Sequence, residues 1–133
     1  MKANVWVAIG YIWFSCLAFL LVSIMAMANP QSVMDLVHVQ LDSSDALSSI
    51  RGVYGGVGFS IVFSLLYLSF KDVKMGVIFL SLIWGFYAFS RGITHVLDGP
   101  LGDFGTQWMI IEFTLFLVAV IILFRFPSQT KPA

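Results

Sequence analysis

Four long apolar stretches constrain the fold of this chain more than any other feature of its sequence. They cover about residues 5–28, 50–70, 74–97 and 106–126. At a rise of 1.5 Å per residue, each is long enough to cross a hydrocarbon core about 30 Å thick. Hydrophobic residues make up 59% of the 133 residues and charged residues 11%, beyond what a water-soluble domain needs for one core. The sequence therefore predicts an all-α integral membrane protein, with residues 1–133 forming a single transmembrane domain.

The first stretch also has features of a signal peptide. Ala26-Met27-Ala28 before Asn29 resembles a signal-peptidase site, and Lys2 resembles a short basic leader. However, the uncharged run lasts about 24 residues, whereas the apolar region of a signal peptide has about 7–15. We therefore expect a retained helix, with cleavage as the alternative.

Charge placement predicts the orientation of the four spans. Basic residues occur at both termini and in the short link between the second and third spans: Lys2, Lys71, Lys74, Arg125 and Lys131. The positive-inside rule assigns these positions to the cytoplasm. The other two connections carry aspartates and no lysine, so we expect them outside. The predicted fold is an up-down-up-down four-helix bundle with both termini cytoplasmic.

The outer connection over residues 29–49 is the longest. Asn29-Pro30 is typical of a helix end, and Asp45 resembles a start signal for the next helix. Val37, Val39 and Leu41 alternate with polar residues, which fits an extended segment. A helical spacing of apolar residues fits an amphipathic turn on the membrane equally well, so both structures remain open.

Small residues follow a four-residue spacing in two neighbouring spans. The second span has Gly52, Gly56, Ser60 and Ser64, and the third has Ser81, Gly85, Ala88 and Gly92. Small residues allow the backbones of membrane helices to approach closely. We expect these two faces to pack together within the chain, with a dimer seam through Gly52 and Gly56 as the alternative.

A polar cluster is predicted at the outer end of the bundle, and its members are the candidate ligand-binding residues. They are Arg51, Tyr54, Arg91, His95, Asp98 and Glu112. A charge in hydrocarbon costs about 2.5–3.5 kcal/mol, so such groups are paired or functional. Arg91 and Glu112 fall at similar depths in neighbouring helices, which predicts an ion pair between them.

Three interpretations of this cluster remain open. The charges could only lock the helices together, or a guanidinium could hold an anionic headgroup, a carboxylate ligand or a partner's acid. A proton relay through Glu112 and His95 is the third. Histidine and carboxylate spacing predicts no metal site, and we expect no cofactor and no catalytic residue. The zero net charge gives no indication of nucleic-acid binding, and the single Cys16 excludes a disulfide within the chain.

Three sequence motifs together resemble a known family. They are Arg51-Gly52-Val53-Tyr54-Gly55-Gly56, Arg91 followed by Asp98-Gly99-Pro100, and Glu112. The chain resembles small bacterial four-helix membrane proteins classified only as a domain of unknown function. The resemblance implies a multi-pass protein of the bacterial cytoplasmic (inner) membrane and no assigned activity. A more distant similarity, to four-helix proteins related to a subunit of a thiosulfate-quinone oxidoreductase, concerns the fold alone.

The sequence thus favours a non-enzymatic accessory or ligand-binding membrane protein. Its expected partners are membrane lipid and another protein of a membrane complex, and a homo-oligomer is a further possibility. The alternative function is a small subunit of a membrane redox enzyme that binds a quinone or an anionic substrate at the same cluster.

Overall fold

The computed structural model describes residues 2–126, with side chains from Asn4 onward, and this part of the chain is helical without strands. Residues 2–126 form five helices: α1 Lys2–Ala28, α2 Pro30–Asp35, α3 Ser44–Lys71, α4 Val73–Leu97 and α5 Asp103–Phe124. All but α2 are long and apolar enough to cross a membrane. The predicted all-α fold class with four spans is confirmed, and the chain is a multi-pass membrane protein by the length and composition of its helices.

The chain divides into two compact units. One contains residues 2–11 together with 72–126, and the other contains residues 12–71. The helix α1 therefore contributes its first part to one unit and its remainder to the other.

In the first unit, α4 and α5 pack against each other across a connection of five residues. The Asp72 side chain caps α4 by accepting a hydrogen bond of 3.0 Å from the Met75 amide. After α4 ends, Gly99 has a φ of +107°, a conformation that glycine adopts without a steric penalty. The start of α1 is joined to α5 by Tyr11, whose hydroxyl donates to the Leu115 carbonyl at 2.8 Å.

In the second unit, α1 and α3 approach closely at two glycines. A Cβ at Gly55 would lie 2.7 Å from Cγ and Sδ of Met27, and a Cβ at Gly58 would overlap Oγ of Ser23. The Ser23 hydroxyl donates to the Phe19 carbonyl at 2.7 Å, so this polar group is satisfied inside its own helix. The helices pack here because neither glycine carries a side chain.

The small residues predicted to form the packed face of α3 are not the ones in close contact. Positions Gly52 and Gly56 have open space where a Cβ would lie, and Ser60 and Ser64 are exposed. Residues Arg51–Gly56 form a π-helical segment, which holds more residues per turn than an α-helix. The altered register accounts for the contacts at Gly55 and Gly58, because a four-residue spacing no longer defines one face there.

The connection between α1 and α3 is organised by the side chain of Gln31. Nε2 of Gln31 donates to Oδ1 of Asp35 at 2.7 Å and to the Val39 carbonyl at 2.9 Å. Its Oε1 accepts from the Leu41 amide at 2.9 Å. His38, between these contacts, has a φ of +58° in the left-handed region. The connection thus begins with a short helix, Pro30–Asp35, and continues as a hydrogen-bonded turn, so the helical alternative describes its first part and no extended strand forms among these residues.

The next helix begins two residues earlier than the Asp45 signal indicated. Ser43 is the N-cap of α3, and its hydroxyl accepts from the Ala46 amide at 3.1 Å. Asp45 lies in the first turn of the helix, where its negative charge interacts favourably with the unpaired backbone amide groups.

Candidate functional site

Arg91 of α4 and Glu112 of α5 form a bidentate ion pair. Nε of Arg91 lies 2.6 Å from Oε2 of Glu112, and Nη2 lies 3.0 Å from Oε1. The Glu112 side chain is 4% exposed and that of Arg91 is 27% exposed. The predicted pairing of these two residues is confirmed. A carboxylate so deeply enclosed is stable because both of its oxygens accept charge-assisted hydrogen bonds.

Helical periodicity brings both charges to the contact between α4 and α5. Arg91 follows the buried Ala88 by three residues and the buried Trp84 by seven, so it shares their face of α4. Glu112 precedes the buried Ala119 by seven residues and shares its face of α5. The apolar residues that pack the two helices therefore also fix the position of the ion pair.

An apolar groove of about 650 Å³ lies between the same two helices, α4 and α5. It is lined by ten residues: Ser81, Leu82, Gly85, Phe86, Ala88, Phe89, Met109, Ile110, Phe113 and Phe116. Ala88 lies one turn before Arg91, while Met109 and Phe113 flank Glu112 in α5. The α4 part of the lining thus extends from Ser81 to Phe89, about 12 Å of helix, and ends two residues before Arg91. Arg91 and Glu112 are not themselves lining residues.

Small residues of α4 create this groove. At its floor, a Cβ added to Gly85 would lie 3.0 Å from Cδ2 of Phe116, so the ring packs directly on the α4 backbone. Ser81 and Ala88, one turn away on either side, do not fill the space left by the larger phenylalanines. These three residues belong to the stripe that the sequence analysis assigned to packing between the second and third spans. The stripe was visible in the sequence, but the groove it forms with α5 was not predicted.

The predicted site residues Arg51 and Tyr54 belong to the second unit. Arg51 is exposed, and its Nε donates to the Met27 carbonyl near the end of α1 at 3.2 Å. Tyr54 is 38% exposed and lies with Arg51 in the π-helical segment. Arg51 thus satisfies one of the free carbonyl groups at the C-terminus of a helix, a structural contact available without any ligand.

The predicted site residues His95 and Asp98 lie at the end of α4 and are both exposed. Their side chains form no hydrogen bond or ion pair with residues 4–126, so the structure does not join them to Arg91 and Glu112. Across the described residues, no group of three histidine, cysteine or acidic side chains could hold a metal ion.

Residues 7–123 match the family model described as a domain of unknown function (DUF4345). The chain belongs to this family. The matched range contains the ion pair and the whole groove, and the family assignment agrees with the resemblance drawn from the sequence motifs. The comparison with curated proteins found no match, and the comparison with solved structures also found none.

Proposed function

We propose that this DUF4345 protein is a non-enzymatic membrane protein that binds a lipid in the groove between α4 and α5. The observation that carries this proposal is the long apolar groove between α4 and α5, the two helices that also carry the bidentate ion pair. Few sites offer an apolar channel and a fixed polar end together, and an amphipathic molecule needs both.

The dimensions of the groove suit one hydrocarbon chain. From Phe89 to Ser81 the groove follows α4 for about 12 Å, which is a little less than half the thickness of the hydrocarbon core. Its lining is aliphatic and aromatic, and the single hydroxyl, on Ser81, already donates to the Ile78 carbonyl at 2.7 Å. A chain in this groove would therefore meet no unsatisfied polar group along its length.

The ion pair favours binding over a proton relay. Both oxygens of Glu112 accept hydrogen bonds from Arg91, and the carboxylate is almost completely enclosed. His95, the other member of the predicted relay, forms no hydrogen bond with the described side chains. Glu112 is thus held as a partner of Arg91, whereas a relay needs an acid with a second hydrogen-bonded neighbour.

We place the protein in the bacterial cytoplasmic membrane, with the ion pair in the outer half of the bilayer. The support is the distribution of charge, because Lys71 and Lys74 lie at the opposite end of α4 from Arg91. A lipid-binding protein of this size would act as an accessory to a larger membrane complex, which is the partner we propose for it.

Lipid retention by the full-length protein tests the proposed function. Ser81→Phe places a large side chain in the groove, and Ser64→Phe makes the same change at an exposed position of α3. After gentle detergent extraction, native mass spectrometry should detect about one lipid per chain on the natural protein and on Ser64→Phe. We expect Ser81→Phe to lose it. Equal retention by both variants would contradict the proposal.

The same preparation addresses the redox alternative. Phe86, Phe89, Phe113 and Phe116 line the groove, and their rings could pack against the flat head of a quinone. A quinone as the extracted ligand, together with a stoichiometric redox partner, would favour the small-subunit function. A phospholipid would favour the accessory lipid-binding function.

A further inference from the structure

Arg91 has hydrogen-bonding capacity beyond its contact with Glu112. The two contacts with the carboxylate use Nε and Nη2, and Nη1 meets no acceptor among residues 4–126. A guanidinium carries five N–H donors, so three remain after the two contacts to Glu112. Arg91 is the accessible member of the pair, with 27% of its side chain exposed, whereas the Glu112 side chain is 4% exposed.

We infer that this free edge of Arg91 binds the phosphate of an outer-leaflet phospholipid whose acyl chain lies in the groove between α4 and α5. The inference rests on the proposed function and names the class of lipid. The accessible face of the ion pair offers only donors and carries the positive end of the pair. A ligand must therefore supply acceptors, and phosphate oxygens match the planar arrangement of guanidinium N–H groups.

The direction of the groove fixes which end of the lipid meets Arg91. Gly85, a groove residue, is the central residue of α4, and Arg91 lies about 9 Å further toward the Leu97 end. On α4, the groove residues from Ser81 to Phe89 thus all lie farther from the Leu97 end than Arg91 does. A lipid of the outer leaflet has the same orientation, with its chain toward the bilayer centre and its phosphate toward water. The long side chain of Arg91 can extend its free edge toward that phosphate.

Competition between two lipids that differ only in the head tests the inference. The full-length protein in detergent is offered equal amounts of phosphatidylglycerol and of diacylglycerol with the same acyl chains. Because a charge-assisted hydrogen bond is worth about tenfold in affinity, native mass spectrometry should show phosphatidylglycerol retained about tenfold over diacylglycerol. Equal retention of the two lipids would overturn the headgroup site while leaving the chain groove in place.

Two variants then assign the preference to Arg91. The double variant Arg91→Gln with Glu112→Gln removes both charges without leaving either one unpaired. Arg91→Lys keeps a cation for Glu112 but lacks the additional N–H groups of a guanidinium. This single variant can still be measured if the double variant does not fold. In either variant the preference for phosphatidylglycerol over diacylglycerol should fall to about twofold or less, and diacylglycerol should still bind. A preference that persists near tenfold in a folded variant would overturn the inference.

Two further measurements separate the possible failures. Arg51→Gln removes an exposed arginine of the second unit and should leave the preference unchanged. Inorganic phosphate at 100-fold excess over the lipid should not displace phosphatidylglycerol, because a free anion gains nothing from the groove. Complete displacement would identify a simple anion site and overturn the inference. If the natural protein retains neither lipid, the proposed function itself fails.

Discussion

Arg91 and Arg51 belong to different units of the chain and have different partners. Arg91 binds both oxygens of a side chain that is 4% exposed, whereas Arg51 is exposed and donates to a single backbone carbonyl. The partner of Arg91 is a full charge that is costly to leave unpaired, and the partner of Arg51 is a helix-terminal carbonyl that water can also satisfy. The burial of the partner therefore determines how much each contact contributes to the stability of the folded protein.

Surroundings also separate the two arginines. The helix pair that carries Arg91 also forms an apolar groove, which is lined by large aromatic and small residues. Arg51 lies where α1 and α3 approach through Gly55 and Gly58. Close backbone contact in the second unit fastens the helices, whereas incomplete filling in the first unit leaves room for a ligand. We therefore expect ligand binding in the first unit, where the groove is unfilled and Arg91 is already paired with Glu112.

The largest expected effect comes from Arg91→Ala. This change leaves the enclosed Glu112 carboxylate without its partner, at a cost of about 3–5 kcal/mol in the free energy of unfolding. Denaturant titration of the full-length protein in detergent measures the loss. Arg51→Ala is the matched control and should cost far less. Similar losses for the two variants would remove the distinction between the arginines.

A charge reversal tests whether the contact is specific. Arg91→Glu alone places two carboxylates together and should impair folding or insertion more than Arg91→Ala. Adding Glu112→Arg restores opposite charges at the same positions, and we expect the double variant to recover more than half of the lost stability. The yield of folded protein from membranes measures both. An absence of recovery would indicate that the surrounding apolar residues accept only one arrangement of the pair.

The glycine contact of the second unit predicts a smaller effect. Gly58→Ala forces a Cβ onto Oγ of Ser23, and overpacking of this kind costs about 1–3 kcal/mol. Adding Ser23→Ala removes the overlapping atom and should recover part of the loss. Gly56→Ala, where space is open, should change the free energy of unfolding by less than about 1 kcal/mol. A loss at Gly56 as large as at Gly58 would indicate a contact of the Gly52 and Gly56 face with another molecule.

The smallest effect is expected for Arg51→Met. It removes one hydrogen bond to the Met27 carbonyl and keeps much of the side-chain volume, so the expected loss is about 0.5–1.5 kcal/mol. Amide hydrogen exchange should accelerate mainly in the residues around the end of α1. Arg51→Lys, which retains a donor, should stay closer to the natural protein. An effect spread evenly over all helices would contradict a local capping role.

Some of these features follow directly from sequence physics. The four spans could be predicted because bilayer thickness sets a minimum length for an apolar helix. The pairing of Arg91 with Glu112 could be predicted because each charge in hydrocarbon needs a partner and the helical rise gives its depth. Both deductions use constraints that act on one residue or one helix at a time.

Other features depend on how several side chains share space. The groove exists because Phe116 packs on Gly85 while Ser81 and Ala88 leave volume unfilled, which no spacing rule specifies. The π-helical segment Arg51–Gly56 shifts the face of α3 that contacts α1 to Gly55 and Gly58, which the four-residue spacing of Gly52 and Gly56 did not indicate. Arg51 was grouped with Arg91 because the predicted topology puts both at the outer end of the bundle, although its observed partner is a backbone carbonyl that the sequence pattern did not indicate.

The ion pair between α4 and α5 also bears on how the protein is made. A ribosome completes Val73–Leu97 before Asp103–Phe124, so the arginine exists before the acid that neutralises it. Until that acid emerges, the nascent segment would carry an unmatched cation, which opposes its release into the bilayer. Only five residues connect the two segments. The two helices can therefore leave the insertion machinery together, as a hairpin in which Arg91 and Glu112 neutralise each other.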